Sequence, residues 1–388
     1  MNLNILNTQV QEYINKSLSE DLQKFAFKKS PFNEVSSLEI MEQLFGKISA
    51  KSKLPTWYKA HDIYYPPKLN LEQTSSEKTA AFKASLFKGN RMADLTGGFG
   101  IDSYFFSKHF THCDYFEQQE ELCKIATHNF KSLGATNITT SCADGLTGLH
   151  GHYNLIFLDP ARRDVKKSKV FRLEDCSPNI LESLDALLGF TDKLMLKTSP
   201  MLDISLGIEQ LRHVTGIYAV AVNNELKELL WVIESKATSQ QIKAHAINFT
   251  THGVQNNSLE WGATYHVNYG MPKGYLYIAN AALMKLGHFG HLSKQYDLEK
   301  LHKDSHFFTS DKKIVFPGRC FEILETMPYN KTVMKTFQKS TSLVISRNFP
   351  LTVKEVRKRW KIKDGGNKYL IFTTLQNGDK AVLRCKII

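Results

Sequence analysis

A glycine-rich turn between two apolar segments is the feature that most constrains the fold of this chain. The segment RMADLTGGFGIDSYFFS, residues 91–107, reads as a short strand ending at Asp94, a turn with Gly97, Gly98 and Gly100, and the start of a helix. Glycines let a strand-to-helix turn reverse tightly and let a ligand approach the backbone. The unpaired N–H groups and the positive dipole end of the helix then face that ligand. The pattern predicts a site for a nucleotide-like cofactor.

Further apolar runs follow the turn, at residues 111–116, 136–145, 153–163 and 193–200. Runs of this length, separated by segments long enough for helices, predict a parallel sheet covered on both faces. An acid stands at or just past the ends of the first four strands, at Asp94, Glu117, Asp144 and Asp159. Ligands of such sheets bind beyond the carboxyl ends of the strands, so we expect one cleft to collect all four acids. Each acid taken alone also fits a simple cap at the end of a strand.

The segments on either side complete the expected architecture. Residues 1–88 have a mostly helical pattern, and residues 216–235 read as a hairpin whose last strand closes the sheet in antiparallel direction. The polar stretch THGVQNNSLEWG, which begins at residue 251, is expected to be an unstructured domain end, near residue 252. The fold class predicted is α/β, a Rossmann-like sheet with an N-terminal helical region and small α+β domains at the C-terminus.

The order of the acids and the glycines separates two classes of cofactor site. Nicotinamide dinucleotide sites use G-x-G-x-x-G, whereas this chain has G-G-F-G followed by I-D-S. The order acid, glycine turn, acid, acid, then D-P-A-R resembles the class I S-adenosylmethionine-dependent methyltransferases, and a dehydrogenase is the less favoured alternative. In that family the first loop cradles the methionine moiety, the second-strand acid holds the ribose, and the third-strand acid lies beside the adenine. The resemblance assigns these roles to Asp94 with Gly97, Gly98 and Gly100, then to Glu117, then to Asp144.

The fourth strand ends in Asp159-Pro160-Ala161-Arg162. Methyltransferases that modify base amino groups usually have Asp or Asn, two prolines and an aromatic residue there; this chain keeps the acid and the first proline only. We expect Asp159 to orient or deprotonate the methyl acceptor and Pro160 to shape the turn. Arg162 is expected to contact phosphate or base, with a surface ion pair of Arg162 and Arg163 as the alternative.

The D-P-A-R form also resembles the RNA uracil C5-methyltransferases, which need a cysteine nucleophile two residues before a proline that follows the fifth strand. Here that proline is Pro200, and the residue two positions before it is Thr198, a poor nucleophile. Cys176 also precedes a proline by two residues, but it falls between the fourth and fifth strands. The sequence therefore favours direct methyl transfer to a heteroatom.

Positive charge is concentrated at the C-terminus. The chain has a formal net charge of +12, and residues 339–388 hold twelve Lys and Arg against three acids, a surplus of nine. Such a concentration is typical of a protein that binds a polyanion. The pattern predicts a basic amphipathic helix at VKEVRKRWKI and a strand hairpin after it. This segment resembles a THUMP-like domain, a module that carries RNA-modifying enzymes to structured RNA.

Taken whole, the chain resembles a bacterial family of class I methyltransferases with a ferredoxin-like insert and a THUMP-like tail. The resemblance implies four domains, over residues 1–88 (helical), 89–252 (methyltransferase), 274–338 (ferredoxin-like) and 339–388 (THUMP-like). It implies an enzyme that uses S-adenosylmethionine to methylate a base of tRNA or rRNA. Two alternatives stay open: a small-molecule or protein methyltransferase, and a non-catalytic RNA-binding protein that retains a cofactor fold.

Other features bear on compartment and metals. The six cysteines contain no C-x-x-C pair, which predicts reduced thiols rather than a disulfide or zinc framework. No export signal or membrane-length apolar run is seen in the sequence, so we expect a cytoplasmic protein. His288, His291, His302 and His306 are expected to lie on a solvated surface, and we predict no metal site.

Overall fold

The computed structural model describes residues 1–20, 25, 29–162, 172–235 and 241–388. We number its α-helices α1 Thr8–Lys16, α2 Ser37–Lys53, α3 Pro55–Lys59, α4 Lys68–Gln73, α5 Glu77–Ser85, α6 Ile101–Phe106, α7 Glu120–Ser132, α8 Gly145–Gly148, α9 Ile180–Leu188, α10 Ile204–Gln210, α11 Ala281–Leu286, α12 Phe289–Tyr296, α13 Lys331–Thr336 and α14 Val353–Trp360. Short 3₁₀ turns cover Leu3–Leu6 and Leu173–Asp175.

The strands are β1 Gly89–Asp94, β2 Phe110–Phe116, β3 Ile138–Ser141, β4 Leu155–Leu158, β5 Ala161–Arg162, β6 Cys176–Ser177, β7 Lys193–Thr198, β8 Val214–Val222, β9 Glu225–Glu234, β10 Lys243–Thr250, β11 Gly253–Glu260, β12 Tyr275–Ala279, β13 Glu299–Lys300, β14 Phe308–Ser310, β15 Gly318–Pro328, β16 Leu343–Ser346, β17 Lys368–Thr374 and β18 Lys380–Ile387. Two compact units result. The first comprises Met1–Ile217 with Glu228–Gln240, and the second Tyr218–Lys227 with Gln241–Ile388.

The larger sheet has nine strands in the order β3-β2-β1-β4-β7-β9-β8-β10-β11, and its strands β3, β2, β1, β4 and β7 belong to the first unit. Neighbouring strands from β3 to β7 are parallel, and β9 is antiparallel to β7. All four residues of β4 are buried, as expected for a strand covered on both faces. The parallel order and the antiparallel closing hairpin confirm the predicted Rossmann-like α/β sheet.

Helices pack against this sheet through apolar contacts. Phe106 of α6 lies with its ring centroid 5.2 Å from that of Phe157 in β4, and Phe130 of α7 lies 5.4 Å from Tyr115 in β2. The N-terminal helices α1 to α5 share a buried core, which includes Ile40, Leu44 and Trp57, with helices α6 and α7. The predicted helical region is therefore confirmed for the described residues.

Two strand predictions need correction. The third strand is expected to run to Asp144 but ends at Ser141, because Asp144 caps helix α8 instead of continuing the ladder. The polar stretch expected to be unstructured contains β11, which pairs with β10 in antiparallel register. In β11 the buried residues Asn257 and Leu259 alternate with exposed neighbours. An antiparallel strand at the edge of a sheet needs only one buried face, so most residues of such a strand can be polar. The sequence of β11 therefore has no apolar run that would predict a strand.

In the second unit, β12 to β18 form a sheet of order β13-β14-β12-β15-β18-β17-β16. Alternate residues of β17 enter two apolar clusters: Leu370 and Phe372 pack with Val356 and Trp360 of α14, whereas Ile371 joins Leu276 and Phe307. The amphipathic helix and the hairpin β17–β18 are therefore confirmed. With its helices, this sheet provides the small α+β C-terminal region that the sequence predicts.

A disulfide corrects the expectation of reduced thiols. Cys123 of α7 is bonded to Cys142, which follows β3, with Cα atoms 5.6 Å apart. Helix α7 connects β2 to β3, so its first turn comes close to the end of β3 although 19 residues separate the two cysteines. Spacing rules for adjacent cysteines do not detect such a pair. Cys113, Cys176, Cys320 and Cys385 carry thiols that are not part of a disulfide.

Candidate active site

The loop after β1 is fixed by the carboxylate of Asp94. One oxygen accepts a hydrogen bond from the Thr96 N–H at 3.1 Å, and the other accepts one from the Ser103 hydroxyl at 2.5 Å. Asp94 is buried, and burial raises the pKa of its carboxyl group to about 7 against the opposing effect of the Ser103 hydrogen bond. Asp94 thus ties both ends of the glycine turn to the sheet.

The three predicted glycines have different physical reasons. A Cβ on Gly97 would lie 2.0 Å from the Tyr115 ring, and one on Gly100 would lie 2.5 Å from the Phe130 ring, so both glycines are required by packing. Gly98 has a φ of +55°, and a Cβ there would find no atom closer than 3.9 Å. Gly98 is therefore the position at which the loop offers open space to a ligand.

Glu117 follows β2 and lies against this loop. Its Oε2 accepts a hydrogen bond from the Gly98 N–H at 2.9 Å, and its Oε1 accepts one from the Gln119 N–H at 2.8 Å. The side chain is partly exposed. The structure thus brings the predicted ribose acid and the open glycine together.

Asp144 lies at the same edge of the sheet. Its Oδ1 accepts a hydrogen bond from the Leu146 N–H at 2.9 Å, so it caps α8. The next residue, Gly145, packs so closely that a Cβ would lie 2.8 Å from Leu95 Cα. Asp144 is therefore a helix cap that stands beside the loop after β1, and the role beside adenine stays a prediction.

Asp159 follows β4 and is joined to the glycine loop. Its backbone N–H donates a hydrogen bond to the Thr96 Oγ1 at 2.6 Å. Its carboxylate pairs with the ammonium of Lys197 in β7, and the two side chains are 34% and 12% exposed. Burial alone would lower the pKa of Lys197, but Asp159, together with Glu228 and Asp102, raises it above its ordinary value.

Lys197 is the residue that sequence reasoning missed. The sequence does contain a signal, because Lys197 is a cation near the end of the apolar run KLMLKT. In the structure the three residues before it, Leu194, Met195 and Leu196, are buried. A lysine at the carboxyl end of a buried strand points to a carboxylate partner at the same end.

A second lysine lies behind this pair. Lys83 of α5 is fully buried, and its Nζ lies 3.0 Å from both carboxylate oxygens of Glu228 and 3.1 Å from Asp102 Oδ1. Ser75 completes the cluster, because its hydroxyl donates to Asp102 Oδ2 at 2.7 Å and accepts from Lys83 at 3.0 Å. The four side chains form a paired and hydrogen-bonded interior network.

The rest of the D-P-A-R turn is held by backbone pairing. Pro160 is buried, and β5 pairs with β6 so that Arg162 stands opposite Cys176. Arg163 lies outside the described residues. The Thr198 hydroxyl accepts the indole N–H of Trp231 at 2.9 Å, and Cys176 is buried. Thr198 thus has a structural partner, and Cys176 lacks the exposed setting typical of a reactive thiol.

In the part of the chain that the structure describes, no group of three or more His, Cys, Asp and Glu side chains is arranged to hold a metal ion. The ring centroid of His288 lies 4.4 Å from that of Trp261, and the ring centroid of His291 lies 5.3 Å from that of Tyr265. Over the same described ranges, each helix is too short or too polar to cross a lipid bilayer.

Comparison with known proteins places these features in context. A THUMP domain-like family model matches residues 318–386, and a ferredoxin-like domain model matches residues 275–317. The crystal structure of a candidate methyltransferase from Porphyromonas gingivalis W83 is similar over 99% of this chain and 98% of that chain, with a TM-score of 0.86 and 28% sequence identity. No protein of curated function matches the sequence.

More remote similarity extends to a candidate class I S-adenosylmethionine-dependent methyltransferase from Listeria monocytogenes. It has a TM-score of 0.39 and 12% identity, and the match covers 64% of this chain and 87% of that chain. The Porphyromonas gingivalis structure matches almost the whole of this chain, and the matched part includes the strands β3, β2, β1, β4 and β7 of the large sheet. The chain therefore has the fold of the candidate methyltransferase from Porphyromonas gingivalis, and its C-terminal part is similar to a ferredoxin-like domain followed by a THUMP-like domain.

Proposed function

We propose that this protein is an S-adenosylmethionine-dependent methyltransferase that methylates a base of structured RNA, tRNA or rRNA, by direct transfer to a heteroatom. The observation that carries the proposal is the hydrogen bond from the Asp159 N–H to Thr96 Oγ1. It joins the D-P-A-R turn after β4 (residues 159–162, the acceptor turn) to the loop after β1 (residues 95–100, the glycine loop), so a cofactor on the glycine loop lies beside the acceptor turn. The proposed location is the cytoplasm, where tRNA and rRNA act.

The residues at this edge fit the proposed cofactor. The open position at Gly98 lets a ligand approach the backbone, and the Glu117 carboxylate beside it is partly exposed and suited to the hydroxyls of a ribose. In this proposal Asp94, Gly97, Gly98 and Gly100 cradle the methionine moiety, and Asp144 lies by the adenine. The bound cofactor supplies an activated methyl group on a sulfonium.

The chain's own residues then act on the acceptor. The Asp159 carboxylate accepts a hydrogen from the methyl acceptor and thereby orients that molecule. Pro160 shapes the turn, and the backbone pairing between β5 and β6 holds the turn in place. Arg162 is proposed to contact phosphate or base. Positioning of this kind lowers the activation barrier because the reactants meet already oriented.

RNA docking is proposed for the basic surface of the second unit. Helix α14 buries Val356 and Trp360 and exposes Lys354, Lys358 and Arg359, and the exposed Lys361 and Lys363 follow it. This helix lies inside the segment that matches the THUMP domain-like model. Cations presented together on one helix suit the phosphate backbone of RNA.

The test of activity is tritium transfer from labelled S-adenosylmethionine into total tRNA and rRNA from cells lacking the protein. We expect labelled RNA with the wild type and at least about 100-fold less with Asp159→Ala. Label in protein or metabolites instead of RNA would favour the alternative methyltransferase classes. Cofactor binding without any transfer, measured by calorimetry, would favour a non-catalytic RNA-binding protein.

The test of docking is the salt dependence of RNA binding. The triple variant K354Q/K358Q/K361Q is expected to reduce the slope of log affinity against log salt by about 2 to 3, since each phosphate contact contributes roughly 0.7 to 0.9. The matched control is K51Q/K78Q/K131Q, which removes three exposed lysines from helices of the first unit. Equal losses in the two triple variants would show that the C-terminal cations have no special role.

A further inference from the structure

The acceptor turn carries a cation as well as an acid. The Lys197 ammonium pairs with the Asp159 carboxylate at the carboxyl ends of the adjacent strands β7 and β4. Asp159 is one-third exposed, so this ion pair borders the space next to the glycine loop. A methyl acceptor that reaches Asp159 therefore also meets a positive charge.

The groups behind this pair keep the lysine charged. Burial lowers the pKa of Lys197, but the negative charges of Asp159, Glu228 and Asp102 raise it. The carboxylates of Glu228 and Asp102 are in turn paired with the buried Lys83. Asp94 lies nearby. Burial raises the pKa of its carboxyl group, and the negative charges of Asp102 and Asp159 raise it further. Among the described residues, Lys197 is the cation that pairs with Asp159, and the carboxylates of Glu228 and Asp102 help to keep it charged.

We propose, resting on the function proposed above, that the methyl acceptor is an N–H acid, the lactam or imide nitrogen of a guanine or uracil base, and that Lys197 stabilises its anion. The carboxylate accepts the ring N–H proton, and the ammonium faces the nitrogen and the carbonyl oxygen that then share the negative charge. An exocyclic amine of adenine, cytosine or guanine is the acceptor class that this arrangement disfavours.

Charge and atoms balance in this step. The ring N–H proton moves to the Asp159 carboxylate, so the negative charge passes from the carboxyl group to the ring while Lys197 keeps an anionic partner. The ring nitrogen then bonds to the methyl carbon as the carbon–sulfur bond of the sulfonium breaks, and the electron pair of that bond stays on sulfur as a neutral thioether. The proton leaves Asp159 for water when the product departs.

For an exocyclic amine, the positive charge of Lys197 opposes methyl transfer. Its nitrogen gains positive charge as it attacks the methyl group, and an ammonium a few ångströms away opposes that change. The ammonium would also donate a hydrogen bond to the ring nitrogen beside the amine, which withdraws electron density from the attacking atom. Both edges present a hydrogen-bond donor next to an acceptor, so the discrimination comes from charge rather than from hydrogen-bond pattern.

The first experiment is nucleoside analysis of RNA methylated by the full-length wild-type protein, using total tRNA and rRNA from cells lacking the protein. We expect N1-methylguanosine or N3-methyluridine. An N6-methyladenosine, N4-methylcytidine or N2-methylguanosine product would overturn this inference and leave the proposed function intact. The absence of any methylated nucleoside would overturn both.

The second experiment compares Lys197→Met with Lys197→Arg. The methionine variant is expected to lose about 100-fold in kcat, and its activity should need a pH about one unit higher because the acceptor anion lacks its cation. The arginine variant should recover much of the rate at the original pH. Cofactor affinity, measured by calorimetry, should stay within about twofold of the wild type in both, since Lys197 faces the acceptor.

The control is Lys193→Met, which makes the same change at the other end of β7, where Lys193 pairs with Glu234 at 3.1 Å. It is expected to keep the wild-type pH profile. An unchanged pH profile in Lys197→Met, or equal rate losses in Lys197→Met and Lys197→Arg, would show that Lys197 supports the fold rather than the acceptor.

Discussion

The backbone N–H of Asp159 and the side-chain oxygen of Thr96 lie 2.6 Å apart. Thr96 is in turn held by Asp94, which accepts the Thr96 N–H at 3.1 Å. The end of β4 and the end of β1 are thus connected through one threonine. The separation between the proposed cofactor loop and the proposed acceptor turn is set by this residue.

Replacing Thr96 by valine tests that relationship. The change keeps the shape of the side chain but leaves the Asp159 N–H without its acceptor, so we expect a loss of about 1 to 3 kcal/mol in the free energy of unfolding. Methyl transfer should fall by at least about 10-fold through misplacement of the acceptor turn. The control is Thr127→Val in α7, whose hydroxyl bonds to the Cys123 carbonyl oxygen and to Thr140. Equal activity losses in both variants would contradict the assignment.

Gly98 is expected to be required for binding rather than for folding. Gly98→Ala adds a methyl group in open space and imposes the strain of a positive φ, so the stability loss should be about 1 kcal/mol. Gly134→Ala is a matched control, because Gly134 has a φ of +69° and its added Cβ also meets no atom within 4 Å. Calorimetry should show S-adenosylmethionine affinity reduced about 10-fold or more in Gly98→Ala only. Similar affinities in the two variants would place the ligand elsewhere.

Asp94 gives the first unit a pH-dependent stability. Burial raises the pKa of this carboxyl group from 3.8 to about 7, so the folded state holds the proton more tightly than the unfolded chain. The stabilisation is complete below pH 3.8 and is lost as the pH rises to about 7. Between about pH 5 and pH 8, the free energy of unfolding should fall by about 2 to 3 kcal/mol more in the wild type than in Asp94→Asn. Parallel pH profiles from denaturant titrations would contradict this prediction.

The sequence was sufficient to predict the strands that place the site. The ends of β1 at Asp94, of β2 just before Glu117 and of β4 just before Asp159 follow from apolar runs that stop abruptly, because a doubly covered strand leaves a clear boundary. The boundary at Asp144 was less clear, since β3 is only partly buried and the acid caps the next helix. A polar strand such as β11 has no apolar run to detect.

Side-chain partners were less predictable than strand ends. Lys197 and Asp159 are 38 residues apart in sequence, and Lys83 and Glu228 are 145 apart, so only the fold brings them together. The disulfide between Cys123 and Cys142 was missed for the same reason. The glycines were predicted in position, but the packing of Gly97 on Tyr115 and of Gly100 on Phe130 depends on side chains from other elements.

The buried network behind the site is expected to be costly to break and cheaper to replace. Lys83→Met leaves Glu228 and Asp102 buried without their cation, which should lower the free energy of unfolding by about 3 to 5 kcal/mol. Adding Glu228→Gln removes one of the stranded charges, so the double variant should be more stable than Lys83→Met alone. Denaturant titration of the two single variants, the double variant and the wild type gives the coupling energy. An additive result, with the double variant less stable than either single variant, would contradict a direct charge pairing between Lys83 and Glu228.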